Sequence, residues 1–225
     1  MKLSITQIEE VRSYIVRKGF VHLDVQMEIL DHVVSSVEER IAEDPGLSLD
    51  EAIRLTHQSF GVMGFSVIES AVIKSLNKKY NRAFWKAFSK MFSFPYIFLM
   101  GVCCLLIFKL QQQFLGTSIF YIIYIVGIVL FGLWLYIFYF SSKKLGQYMS
   151  YRISGSYMSV IGSFLLLNNL LLSTEEEWLG LNEHILLSSI VIQLFIVYLV
   201  AGIKTAKSGI EDTKVLMLKY SLIND

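Results

Sequence analysis

Residues 118–140 read SIFYIIYIVGIVLFGLWLYIFYF, 23 positions without a charged side chain. A helix needs about 20 consecutive apolar residues to cross the ~30 Å hydrocarbon core of a bilayer. No water reaches that core, so each backbone N–H and C=O must be satisfied inside the segment, which a helix does. A barrel strand would alternate with period two, and no alternation is present. The stretch therefore reads as a membrane span. Tyr121, Tyr124, Tyr136 and Tyr139 fall near its ends, where amphipathic rings anchor at the headgroups.

Working outward, three further runs qualify: about 91–108, bounded by Lys90 and Lys109, then 153–172 and 185–203. The third span is the most polar, carrying Gly155, Ser156, Ser159, Gly162, Ser163, Asn168 and Asn169. The charge distribution agrees with a membrane half. The chain of 225 residues is 54% hydrophobic and 17% charged, against about 25% charged in soluble domains. Between Ser70 and Thr174 it has no Asp or Glu. Cys103 and Cys104 are adjacent inside an apolar run, which suits small lipid-facing side chains and neither a disulfide nor a zinc site. The first 20 residues do not read as a signal peptide, because Glu9, Glu10 and Arg12 break the apolar run.

Lys and Arg set orientation. Lys74, Lys78, Lys79, Arg82, Lys86 and Lys90 precede the first span. Lys143, Lys144 and Arg152 lie between the second and third, and Lys204, Lys207, Lys214 and Lys219 follow the fourth. Of the other two connections, one carries only Lys109 and the other is acidic, with Glu175, Glu176, Glu177 and Glu183. Four spans put every basic cluster on one side, so both termini are expected in the cytoplasm. Thr174 and Glu177 fit a capping box that would place Trp178 at the outer interface.

The span interiors exclude some functions. Proton and ion pathways use ionisable groups within the spans. Here there is only Lys109, at an edge where it can snorkel. Gly155, Ser159 and Ser163 recur at spacing four, a face that lets helix backbones approach closely. With Asn168, Asn169 and Gln193 they are expected to pack helices, within the bundle or between copies. There is no G-x-S-x-G, H-E-x-x-H, Walker or C-x-x-C pattern, so no enzymatic activity is expected. No cofactor or metal is implied.

Ahead of the spans, residues 1–65 read as a small helical domain. Thr6 and Glu9 fit a T-x-x-E capping box, and Ile8, Val11, Ile15 and Val16 give the first helix its apolar stripe. A second helix covers about 23–44, with Ile29, Val33, Val37 and Ile41 at spacing four. Pro45-Gly46 stops it. Ser48 and Glu51 open a third, which ends by Gly61. A fourth starts near Ser66. Its apolar residues Ile68, Val72, Leu76, Tyr80, Phe84, Phe88 and Phe92 recur every four positions, and so do Lys74, Lys78, Arg82, Lys86 and Lys90. Residues 66–92 thus predict a basic amphipathic juxtamembrane helix. Its cations are expected to contact anionic headgroups or to enforce orientation; nucleic acid is not expected. Pro95 stands at the entry to the first span, where a kink would couple the two.

On the second helix, Glu28, Asp31 and His32 share a face, followed by Glu39. A lone imidazole among carboxylates suits a contact with another protein better than a metal site. The stretch LDVQMEILDHVVSSVEERIAEDPGLSLDEAIRLTHQSFG resembles the small helical domain preceding the spans of many bacterial membrane proteins. These include permease-prefix and HAAS-type domains and a group of four-span proteins. The shared elements are E-x-x-D-H at Glu28, Asp31 and His32, the acids Glu38 and Glu39, and G-L-S-x-x-E-A from Gly46 to Ala52. The resemblance covers residues 5–65 and implies regulation or partner contact.

The expectation is then an all-α protein of the bacterial inner membrane: residues 1–65 a cytoplasmic domain, 93–203 a four-helix transmembrane bundle, 204–225 a cytoplasmic tail. Its expected role is regulatory or scaffolding, with anionic lipid, a cytoplasmic protein and a second copy as partners. The alternative is a transporter or channel component, oligomeric through the third span.

Overall fold

A computed structural model describes residues 2–114, 125–126, 129, 132–133, 136, 144–159 and 180–224. The described chain is all-α, with no strand among the described residues. The helices are α1 (Ile5–Arg17), α2 (Leu23–Glu43), α3 (Leu49–Ser59), α4 (Ser66–Lys90), α5 (Tyr96–Phe114), α6 (Met149–Gly155) and α7 (Leu181–Asn224). Short 3-10 turns, Leu145–Gln147 and Ser156–Met158, flank α6.

The chain divides into two compact units. The first collects Met1–Lys79, Lys144–Ile153 and Asp212–Asp225. Its core is the expected one: Val11 and Ile15 of α1, Ile29, Val33, Val37 and Ile41 of α2, Ala52 and Ile53 of α3, closed by Phe65 and Ile68. Val16, expected on the α1 stripe, is exposed instead. The cap of α1 also differs. Ser4 is the N-cap: its Oγ accepts from Gln7 N at 3.3 Å, and Gln7 Oε1 accepts from Ser4 N at 2.9 Å. The reciprocal box is thus S-x-x-Q, two residues upstream of the expected Thr6–Glu9 pair. Ser48 caps α3 as expected, accepting from Glu51 N at 3.3 Å. Glu51, however, turns its carboxylate to Arg54, which holds it below the usual carboxylate range.

The turn into α4 depends on Gly64. Its φ is +51°, and a Cβ there would stand 2.6 Å from His57 Nε2. His57 is itself wedged edge-on against Phe65, ring centroids 4.7 Å apart. Gly64→Ala combines a left-handed backbone with a clash, so it is expected to destabilise by roughly 1–3 kcal/mol. The urea midpoint of the whole protein checks this.

The second unit collects Tyr80–Lys143 and Ser154–Glu211. Two described helices are long and apolar enough to cross a membrane, α5 and the 182–219 part of α7. The first lies later than expected, at Tyr96–Phe114 instead of 91–108. Its entry is Phe94-Pro95, a cis peptide, after α4 has ended at Lys90. The second-span residues that are described, 125, 126, 129, 132, 133 and 136, are helical, and Ile125, Val126, Val129, Leu133 and Tyr136 are exposed. The rest of 118–140 and most of 153–172 lie outside the described residues, as do Ser163, Asn168 and Asn169.

The expected tail is helix. α7 runs unbroken for 44 residues, about 66 Å at 1.5 Å per residue, roughly twice the hydrocarbon core of a bilayer. Beyond residue 203, Thr205, Ala206, Gly209 and Thr213 are buried, so packing keeps the chain helical there.

Candidate functional site

Glu28, Asp31, His32 and Glu39 are all exposed on α2. Glu28 Oε1 lies 3.7 Å from His32 Nε2. Ser35 Oγ donates to the Asp31 carbonyl at 2.9 Å, which keeps its hydroxyl on its own helix. Glu38 is committed elsewhere: its Oε1 accepts from Leu3 N at 2.8 Å and holds the segment before α1 to α2. Beside Glu28 and His32 runs a groove of about 370 Å³, whose other wall is Val67, Ile68, Ala71, Val72, Ser75 and Leu76 of α4. Among the described residues, no cluster of three or more His, Cys, Asp or Glu side chains is placed to hold a metal ion. His57 packs between Tyr14 and Phe65, away from any such role.

That burial, and then the charge of Lys18, pushes the His57 imidazole below its usual range. Folded protein therefore holds fewer protons than unfolded chain just below pH 6.5. Stability is expected to fall as pH drops through that value toward the lowered folded one. His57→Gln should remove this part of the slope, read as unfolding midpoints between about pH 5 and 7.

The five cations Lys74, Lys78, Arg82, Lys86 and Lys90 are all exposed along α4. None has a carboxylate partner among the described residues. The opposite side does not suit a helix lying in lipid. Ile68, Tyr80 and Phe84 are buried in the protein and Val72, Leu76 and Phe88 half-buried, so the apolar stripe is already covered; Phe92 is exposed. What the cationic side of α4 leaves exposed is charge, with Trp85 beside it.

A feature with no local signal in the sequence sits at α6. Tyr148, before its first turn, has no side-chain acceptor suited to capping. Asp24 of α2 takes that part from 125 residues away: Oδ1 accepts from Met149 N and Oδ2 from Ser150 N, both at 2.8 Å. Ser150 Oγ meets Thr213 Oγ1 of α7 at 3.0 Å. Arg152 lies 3.3 Å from His22 Nε2, and Lys79 pairs with Asp212 at 2.7 Å. Burial, then the Asp24 carboxylate, pushes the Tyr148 phenol up.

In the second unit the expected packing residues are only partly brought together. Gly155 ends α6 and is buried, whereas Ser159 lies past a 3-10 turn, is exposed, and donates to the Ser156 carbonyl at 2.7 Å. Gln193 is buried, and its Oε1 has no partner among the described residues. The polar cluster that is described was missed. Gln111 Nε2 donates to Ser188 Oγ at 3.0 Å, and Ser189 Oγ donates to Gln111 Oε1 at 2.7 Å. Gln111 reads as connector when the span is set at 91–108; the helix continues to Phe114 and buries it. The small residues at spacing four also recur on α7, where Ala201, Thr205, Gly209 and Thr213 are all buried. That run was legible but fell in the expected tail. The chain matches no protein-family model, no curated protein and no solved structure.

Proposed function

We propose that the chain is a four-span integral membrane protein of the bacterial plasma membrane, with residues 1–65 and both termini in the cytoplasm. It acts without catalysis, as a regulator or scaffold, through a protein contact on the exposed face of α2. One observation supports the topology above others. Met1–Lys79, Lys144–Ile153 and Asp212–Asp225 form one compact unit. The segments between them contain the apolar runs. A chain that leaves a body on one side of a bilayer and returns to it must cross an even number of times on each excursion. Two excursions with two spans each give four. The basic loops at 143–152 and after 203 agree, since cytoplasmic connections carry excess Lys and Arg.

The contact reading is supported by Glu28, Asp31, His32 and Glu39 remaining exposed, with Glu28 and His32 lining an apolar groove. Gln111 bonds Ser188 and Ser189 across two helices, and Ser189 also bonds the Ile185 carbonyl of its own helix, which favours an anchoring bundle over a transport path. A reporter enzyme active only outside the cytoplasm, fused after Asp225, is expected to stay silent, and the same reporter inserted at residue 178 to be active. A protein crosslinked to the full chain through this face is expected to be lost on Asp31→Ala/His32→Ala. Activity at Asp225 would overturn the topology, and crosslinks indifferent to the double substitution would overturn the contact face.

A further inference from the structure

We propose that the groove between α2 and α4 is one half of a symmetric dimer interface, and that its occupant is a second copy of this chain. The proposal rests on the reading of the α2 face as a protein contact and names the partner.

The groove has two edges of opposite sign. Glu28 lines it on the α2 side, and Asp31, one turn on, extends that edge. On the α4 side, Lys74 follows the groove residue Ala71 by three positions and Lys78 follows Ser75 by three. Residues three apart are neighbours on a helix surface, so the two lysines border the groove. All four charged side chains are exposed. Between the edges lies an apolar strip, in which Val67 is 49% exposed and Ala71 is exposed as well. Among the described residues, Glu28 has a 3.7 Å contact to His32 as its one ion-pair contact, and neither Lys74 nor Lys78 has a carboxylate partner.

Such a surface complements itself. In a two-fold dimer the same patch meets its own copy. Let the axis lie in the interface and run along the groove. Rotation then carries the acidic edge of one copy onto the basic edge of the other, twice over, while the two apolar strips meet on the axis. A uniformly basic partner would meet Lys74 and Lys78 with like charge, and a uniformly acidic one would meet Glu28 and Asp31. An occupant must carry both signs in mirrored order, which a second copy does by symmetry. Arg82, Lys86 and Lys90, nearer the first span, belong to the other compact unit and stay available to headgroups.

The test uses the full chain in detergent, with the mass of the protein component read by light scattering. Wild type is expected to be dimeric at low salt and to shift toward monomer at high salt, where the screening length falls from about 10 Å at 0.1 M to about 3 Å at 1 M. Glu28→Lys/Asp31→Lys makes both edges basic, and Lys74→Glu/Lys78→Glu makes both acidic. Each variant alone is expected to be monomeric. Mixed in equal amounts, they are expected to pair as a heterodimer, a result that misfolding of either would not give. Ala71→Cys, in a chain with Cys103→Ser and Cys104→Ser, is expected to crosslink to itself, because it lies beside the axis. A wild-type mass of one copy at low salt overturns the proposal. So does a dimer that survives both reversals, or a mixture that stays unpaired. A single-copy mass together with a soluble partner that depends on Asp31 and His32 would overturn this inference and leave the contact reading standing.

Discussion

Asp24→Ala is expected to free the segment 144–153 from the helical domain and to lower the unfolding free energy by about 3–5 kcal/mol. The first N–H groups of any helix lack partners within it. At α6 the carboxylate of Asp24 serves two of them, those of Met149 and Ser150. The anion also sits where the helix dipole is positive. Alanine removes both acceptors at once and leaves two N–H groups in a site where Tyr148 and Ser150 are buried and Met149 half-buried. A buried donor without an acceptor costs about 1–3 kcal/mol, which is why the expected loss exceeds that of an ordinary hydrogen bond. Asp24→Asn keeps one acceptor oxygen and turns an NH₂ toward the other amide, so it should recover less than half of the loss. Hydrogen exchange at Met149 and Ser150 reads the effect directly. Amides as protected in Asp24→Ala as in wild type would mean that the carboxylate holds nothing.

The contrast between Asp24 and the core shows what a sequence can carry. Ile29, Val33, Val37 and Ile41 announce their burial by spacing, since one face of a helix repeats every three to four residues. The same rule found the stripe on α4 and the cations beside it. Local chemistry was nearly as clear, although Ser4 and Gln7 outcompete Thr6 and Glu9 as the reciprocal cap. Contacts between distant segments leave no such trace. Nothing around Asp24 indicates that it caps a helix 125 residues on, and nothing around Asp212 points to Lys79. The extent of α5 is hidden for a related reason. Gln111 looks like a connector residue because it is polar, yet its amide is satisfied by Ser188 and Ser189, and a satisfied polar group is tolerated inside. The tail after residue 203 carries Lys204, Lys207, Lys214 and Lys219, which suggested solvent, while the small residues alternating with them pack and keep α7 helical.

Phe84→Ala is the second substitution expected to have a large effect, lowering stability by about 3–5 kcal/mol as buried Phe-to-Ala changes do. Phe84 is 3% exposed. Its ring stacks on Tyr157, with centroids 4.9 Å apart at 16° between planes, and also meets Tyr198 of α7 at 4.9 Å. One side chain of α4 thus joins the turn after α6 to the long C-terminal helix. The loss combines the burial forfeited by the ring with the cavity left behind. Alanine deletes those contacts on both sides and leaves a gap that two tyrosines can fill only by abandoning each other's neighbourhood. Phe84→Leu should cost less, since it retains bulk and loses only the stacked geometry, a contribution of about 0.5–1.5 kcal/mol per ring pair. Trp85→Ala provides the control on the same turn, because Trp85 is 56% exposed and its removal opens no cavity. Thermal unfolding in one detergent compares the three. Equal shifts for Phe84→Ala and Trp85→Ala would mean that the stripe on α4 does not bind these helices together.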